Sequence, residues 1–193
     1  MIRVKINQPN ASEMFLKALK ENKVIAYPTD TIYGVGTAVT NDKGIDLTGV
    51  AYKQNNSGSD IFFKKIREQF MTNQLYKGGD IHLLNEALSQ NNVLILLSDQ
   101  DAKNKGAMVK FFNIDSSTHS GAAILSKRKQ CPLIYSSITK INDSYEVKFD
   151  EINTNNSVTD IVQSYTSKIE KTIVKAPEQY FWFHKRWKSI RKY

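Results

Sequence analysis

Val93-Leu94-Ile95-Leu96-Leu97, followed at once by Ser98-Asp99-Gln100-Asp101, is the stretch on which the reading of this chain turns. A continuous apolar run of this kind suits a strand buried on both faces of a parallel sheet. The polar residues behind it then lie at the strand's C-terminal end, where open α/β sheets tend to hold ligand groups. Two carboxylates in that place could bind a metal, act as a base or orient one. The same residues equally make a polar turn in which Asp99 caps local backbone amides, and spacing alone favours the turn.

Working outward, helical spacing is found on both sides. Leu83 to Ser89 predicts a helix leading into the strand, and Asp60 reads as the N-cap of another, with Ile61, Phe62, Ile66 and Phe70 on one face. Residues 41–56 carry few signals, and Asn55-Asn56-Ser57-Gly58 is a loop. Further upstream, Asn10-Ala11-Ser12-Glu13 starts a capped helix bearing Met14, Phe15, Ala18 and Leu19, and Val24-Ile25-Ala26-Tyr27 is a short strand stopped by Pro28. Downstream, Phe111-Phe112 precedes a helix from about Ser120 to Lys129 and a strand from Leu133 to Thr139. Asn142-Asp143 turns the chain into Tyr145 to Phe149 as a hairpin. After a linker, Thr154 to Ser157, Val158 to Lys175 is an amphipathic helix with Ile161, Val162, Tyr165, Ile169, Ile173 and Val174 on or near one face, ended by Pro177. The alternation of helix and buried strand predicts an α/β chain.

The 193 residues suffice for one domain with a real core, and 40% hydrophobic content argues against disorder. Lysine and arginine outnumber acids 27 to 19, a formal net charge of +8. That charge fits nucleic acid, anionic lipid or a phosphorylated substrate, and composition does not choose among them. Its distribution is more telling. His184 to Tyr193 holds Lys185, Arg186, Lys188, Arg191 and Lys192 and no acid. The single cysteine, Cys131, precludes an intramolecular disulfide, suits a cytosol-facing location and reads as a small core residue. No segment approaches the roughly 18 apolar residues of a membrane-spanning helix, and Met1-Ile2-Arg3-Val4-Lys5 is not a signal peptide, so any membrane contact is expected to be peripheral.

Several motifs in order resemble one family. Leu97-Ser98-Asp99-Gln100-Asp101, Lys105-Gly106, Phe111-Phe112 and Ser120-Gly121-Ala122-Ala123 look like a block of the lauroyl/myristoyl-type acyltransferases of bacterial lipid A biosynthesis. Ala176-Pro177-Glu178-Gln179-Tyr180-Phe181-Trp182-Phe183-His184-Lys185-Arg186-Trp187-Lys188 resembles the family's tail motif, and Gly49-Val50-Ala51-Tyr52-Lys53 with Phe62 to Phe70 resembles the segment after its catalytic block. The likeness runs colinearly from about Gly49 to Tyr193 and corresponds to the family's C-terminal half. It implies a partial lysophospholipid-acyltransferase-like fold: a mixed or mostly parallel sheet flanked by helices. It also implies an enzyme peripheral to the cytoplasmic face of the inner membrane. Such an enzyme moves a fatty acyl chain from acyl carrier protein, or another acyl thioester, to a hydroxyl of a lipid A precursor. No metal, organic cofactor or nucleic acid is implied.

In that family a histidine paired with an acid five positions later takes the acceptor's proton. Here the residues five after His82, His119 and His184 are Ala87, Ile124 and Ser189, so none supplies the motif. The resemblance leaves Asp99 and Asp101 as second-site carboxylates, Lys53, Arg186 and Lys188 as substrate contacts by charge logic, and Gln100 as a further substrate contact. The expectation is a truncated acyltransferase without turnover.

A second resemblance covers the other end. Lys23-Val24-Ile25-Ala26-Tyr27-Pro28-Thr29-Asp30-Thr31-Ile32-Tyr33-Gly34-Val35-Gly36 looks like the opening of threonylcarbamoyl-adenylate synthases, nucleotide-binding enzymes of tRNA modification, in which Thr31 and Tyr33 would help hold threonine and nucleotide. Read bottom-up, Pro-Thr-Asp-Thr is as well a strand-ending turn. Together the two likenesses predict a gene fusion, with an N-terminal helix–strand fragment over 1–48 and the acyltransferase-like domain over 49–193. Two rivals follow: a nucleotide-binding remnant, and a non-enzymatic basic protein that is peripheral to an anionic membrane surface or serves as an interaction protein.

Overall fold

The computed structural model describes residues 33–37, 47–68, 73–79, 81–90 and 92–192. The helix expected near Met14, the strand Val24–Tyr27, Thr31 and Phe70 lie outside the described residues. Among the described residues the main sheet has six strands in the order β3-β2-β4-β1-β7-β8. These are β1 (Tyr33–Thr37), β2 (Leu47–Ala51), β3 (Asn73–Tyr76), β4 (Val93–Leu96), β7 (Leu133–Ile141) and β8 (Ser144–Ile152). Between β4 and β7, β5 (Ala107–Phe111) and β6 (Ile114–Thr118) form a separate antiparallel pair. Among the described residues there are four α-helices: α1 (Ser57–Glu68), α2 (Ile81–Ser89), α3 (Gly121–Lys129) and α4 (Val158–Lys175).

The apolar run opens where expected but is not in a mostly parallel sheet. β4 runs parallel to β2, which runs parallel to β3, while β1 is antiparallel to both β4 and β7. The α/β class therefore holds with a mixed sheet. Each face of β4 has its own cover. Leu94 is fully buried against Leu88 of α2 and Leu125 of α3, and Val93 packs with Leu47 on the other side. The boundary expected between residues 48 and 49 falls inside β2, where Leu47 and Thr48 are both buried.

The largest core lies between α4, the β5–β6 pair and β7. Ile161, Val162, Tyr165, Ile169 and Ile173 of α4 meet Phe111, Leu133 and Tyr135 there. Ser157 caps the helix by accepting from the Asp160 backbone amide at 3.2 Å. Val174, expected on this face, is exposed, because the apolar stripe ends at Ile173. α4 also protects the outer edge of β5. The Gln163 side chain pairs with both backbone groups of Lys110, and Glu170 accepts from the Phe112 amide at 2.7 Å. An unpaired edge that would otherwise invite another strand is thereby occupied.

Two local expectations need correction. The cap of α1 is Asn56, whose Oδ1 accepts from the Ser59 amide at 2.9 Å. Asp60 sits one turn in and points inward, accepting from the Gln54 amide at 2.8 Å and the Tyr76 hydroxyl at 2.6 Å. Ile61 and Phe62 are consequently exposed rather than core. The β7–β8 hairpin, by contrast, turns at Asn142, which takes the left-handed φ of 53° that such turns require. Gly106 opens β5 at a close crossing. A Cβ there would meet Ala102 Cβ and the Thr118 carbonyl oxygen at 2.6 Å, so only glycine lets the loop lie against β6.

Candidate functional site

The parallel strands β3, β2 and β4 deliver their C-terminal ends to one edge of the sheet. β2 ends in Tyr52-Lys53, β3 in Lys77 and β4 in Ser98-Asp99-Gln100-Asp101. The inward-turned Asp60 fixes the first two ends by holding the Gln54 amide and Tyr76. The same bond raises the Tyr76 pKa, since ionising the phenol would set it against a carboxylate. Lys77 then donates to the Tyr52 hydroxyl at 2.6 Å and lies 3.3 Å from Nε2 of His119, which follows β6. Burial, with Lys77 and Arg186 nearby, lowers the His119 pKa to about 4, so its ring is neutral at pH 7.

The tail closes over the third strand end. The Gln179 side chain pairs with the amide and carbonyl of Lys140 near the end of β7. Tyr180 is buried and donates to the Asp99 main-chain oxygen at 3.0 Å. His184 Nε2 accepts from the Asp101 amide at 2.8 Å, which needs a neutral ring with its proton on Nδ1. Burial, Lys188 and Arg186 lower the His184 pKa and so favour that state. Asp101 answers with its carboxylate, accepting from the Ser189 hydroxyl at 2.7 Å and amide at 3.1 Å and from the Lys103 amide at 3.0 Å. Burial alone would push the Asp101 pKa up, but these bonds outweigh it and hold the carboxyl below its ordinary range.

Arg186 is the centre of this clamp. It is 3% exposed, donates to the Ser117 carbonyl at 2.8 Å and to the Thr118 hydroxyl, and stands 5.0 Å over the Phe111 ring. Asp99 lies close by, 3% exposed, and its Oδ1 has no hydrogen-bond partner among the described residues. Burial pushes its pKa up to about 6, opposed by its own backbone amide and by the Arg186 charge. The sequence-selected residues thus divide by place. Asp99, Asp101 and Arg186 are interior and tie the tail to the sheet. Lys53 and Lys188 are exposed, Gln100 is half-buried, and Tyr33 opens β1. Residue-type reasoning passed over Lys77, Tyr52 and Tyr180. The first two follow strand ends directly, the one signal by which they could have been found.

The model for the family of bacterial lipid A biosynthesis acyltransferases matches residues 35–189. The chain belongs to that family. No curated protein matches the chain. The family match begins ahead of Gly49 and takes in most of β1, which sits in the middle of the same sheet as the strands behind it. The resemblance of the N-terminal stretch to threonylcarbamoyl-adenylate synthases gains no support from any of this. Among the described residues, no helix is long and apolar enough to cross a membrane.

Proposed function

We propose that the chain is a lipid A biosynthesis acyltransferase domain that recognises an acyl donor and a lipid acceptor but does not transfer the acyl chain on its own. The donor class is an acyl thioester, carried by acyl carrier protein or a related group. The acceptor is a hydroxylated, phosphorylated lipid A precursor. The mixed sheet with its helices is, in this reading, part of a lysophospholipid-acyltransferase-like fold working peripherally at the cytoplasmic face of the inner membrane. Lys53 at the end of β2 and Lys188 in the tail supply exposed cations for phosphate. Gln100, half-buried behind β4, adds a polar contact. Asp99, Asp101 and Arg186 act from inside by fixing the tail.

The observation that carries the loss of turnover is the surroundings of the histidines. A transferase base must be oriented and its protonated form stabilised by an acid. None of His82, His119 and His184 has an acid five positions on. His119, the histidine at the strand edge, faces the Lys77 ammonium instead, and a neighbouring cation weakens it as a base. His184 spends its basic nitrogen on the Asp101 amide. Losing a general base typically costs about 10²–10⁴-fold in rate. Incubated with an acyl–acyl carrier protein donor and a lipid A precursor, the chain should give only background product. Clear product formation that His119→Ala or His82→Ala abolishes would overturn the reading.

A further inference from the structure

Three consecutive aromatic side chains stand out of the surface. Phe181, Trp182 and Phe183 are 55%, 45% and 86% exposed. They are not on a loose end. The turn that carries them is closed by the His184 amide on the Phe181 carbonyl at 3.2 Å and the Lys185 amide on the Trp182 carbonyl at 3.1 Å. The Trp182 indole donates to the Pro177 carbonyl at 2.8 Å, and the flanking Tyr180 and His184 are tied to Asp99 and Asp101. The exposure of these rings is therefore built into the fold. Trp187 makes the contrast, since its ring turns inward to pack 5.5 Å from Phe111.

The charge that follows this turn has one sign, while the exposed Glu178 precedes it. Lys185, Lys188, Arg191 and Lys192 are exposed, whereas Arg186 points inside. No acid occurs from His184 to the C-terminal Tyr193. An aromatic turn next to such a cluster matches the surface of an anionic bilayer, where rings enter the headgroup–acyl boundary and cations meet phosphates. Phe181 and Phe183, 5.9 Å apart, form the apolar point. Trp182, with its N–H already satisfied, suits the interfacial depth.

We propose that the Phe181–Phe183 turn and the cations that follow it are the docking surface of this chain for an anionic phospholipid bilayer. The proposal rests on the lipid-acting reading only in preferring a bilayer to an acidic protein, and it is testable without any lipid A precursor. The full chain would be floated with vesicles of phosphatidylglycerol mixed into phosphatidylcholine, and with vesicles of phosphatidylcholine alone. Binding to the anionic vesicles at low salt is expected, with a blue shift of Trp182 emission that Trp182→Phe removes. Lys188→Gln, Arg191→Gln and Lys192→Gln together should weaken that binding by about 10²-fold, at about fivefold per cation. Phe181→Ser with Phe183→Ser should weaken it at least about tenfold, since two inserted rings are lost, while the urea midpoint stays where it was.

Equal binding to both vesicle types, or equal binding by the phenylalanine variant, would overturn the proposal. So would a chain that does not float but self-associates through these phenylalanines. Should the phenylalanine variant lose its unfolding transition, the unaltered chain decides: no emission shift with phosphatidylglycerol sinks the idea. Failure here leaves the acyl-donor assay untouched, so the two readings fall separately.

Discussion

Replacing Asp99 with Asn should stabilise the protein above pH 6 and leave it unchanged near pH 4. Asp99 is 3% exposed and its Oδ1 lacks a partner among the described residues, so the ionised carboxylate has lost its water without full replacement. Burial accordingly raises the pKa from 3.8 to about 6, with Arg186 opposing. The sign follows directly. The folded state holds the proton more tightly than the unfolded one, so ionisation penalises the fold. The penalty is absent below about pH 4, grows between 4 and 6, and is complete above. That displacement corresponds to at most about 3 kcal/mol. Asn keeps the shape without the charge but weakens the attraction to Arg186, so a gain of about 1–3 kcal/mol at pH 8 is expected. Urea denaturation of both proteins at pH 4 to 8, followed by far-ultraviolet circular dichroism, gives the difference. The difference matters because His119 titrates over an overlapping window with the opposite effect on the parent curve. A variant less stable than the parent at pH 8, or a difference flat with pH, would refute the argument. Arg186 would then be shown to compensate the Asp99 charge in full.

Two further predictions concern the same corner. His119, with its pKa lowered from 6.5 to about 4, stays neutral in the fold while the unfolded chain takes up a proton, so it costs stability as pH falls from 6.5 toward 4. His119→Asn should therefore gain on the parent over that interval and not above it, as equilibrium urea curves would reveal. Arg186→Met should cost about 2–4 kcal/mol, because the buried Ser117 carbonyl and Thr118 hydroxyl lose their donor. Trypsin should then cut sooner after Lys185 and Lys188, and a tail cut no faster than the parent's would deny Arg186 its role as the clamp.

Much of this was legible wherever the signal is local. Val158 to Lys175 declared itself by helical spacing, and the β7–β8 hairpin by Asn142-Asp143, because the turn and the strands it joins are neighbours in sequence. The β5–β6 hairpin hid, since its turn is Phe112-Asn113, and Phe112 at a φ of 50° is not a residue one expects in the left-handed region. The antiparallel partner of β4 hid too. β1 is Tyr33-Gly34-Val35-Gly36-Thr37, whose two glycines weaken any strand signal, and its place beside β4 is a matter of sheet order that no window of sequence contains. The tail shows the limit most plainly. Five cations in ten residues read alike, yet one of them is interior. What turns Arg186 inward is a carbonyl and a hydroxyl at Ser117 and Thr118, brought to it by a hairpin 68 to 69 residues earlier. Composition counts charges, but only the fold decides which of them face water. The same division explains the aromatics: Trp187 finds Phe111 and packs inside, while Phe183 has the clamp on both sides of its turn holding it outside. A motif recognised from sequence as one block thus splits in space into a buried fastening and an exposed surface, and the two halves should respond to different mutations and different assays.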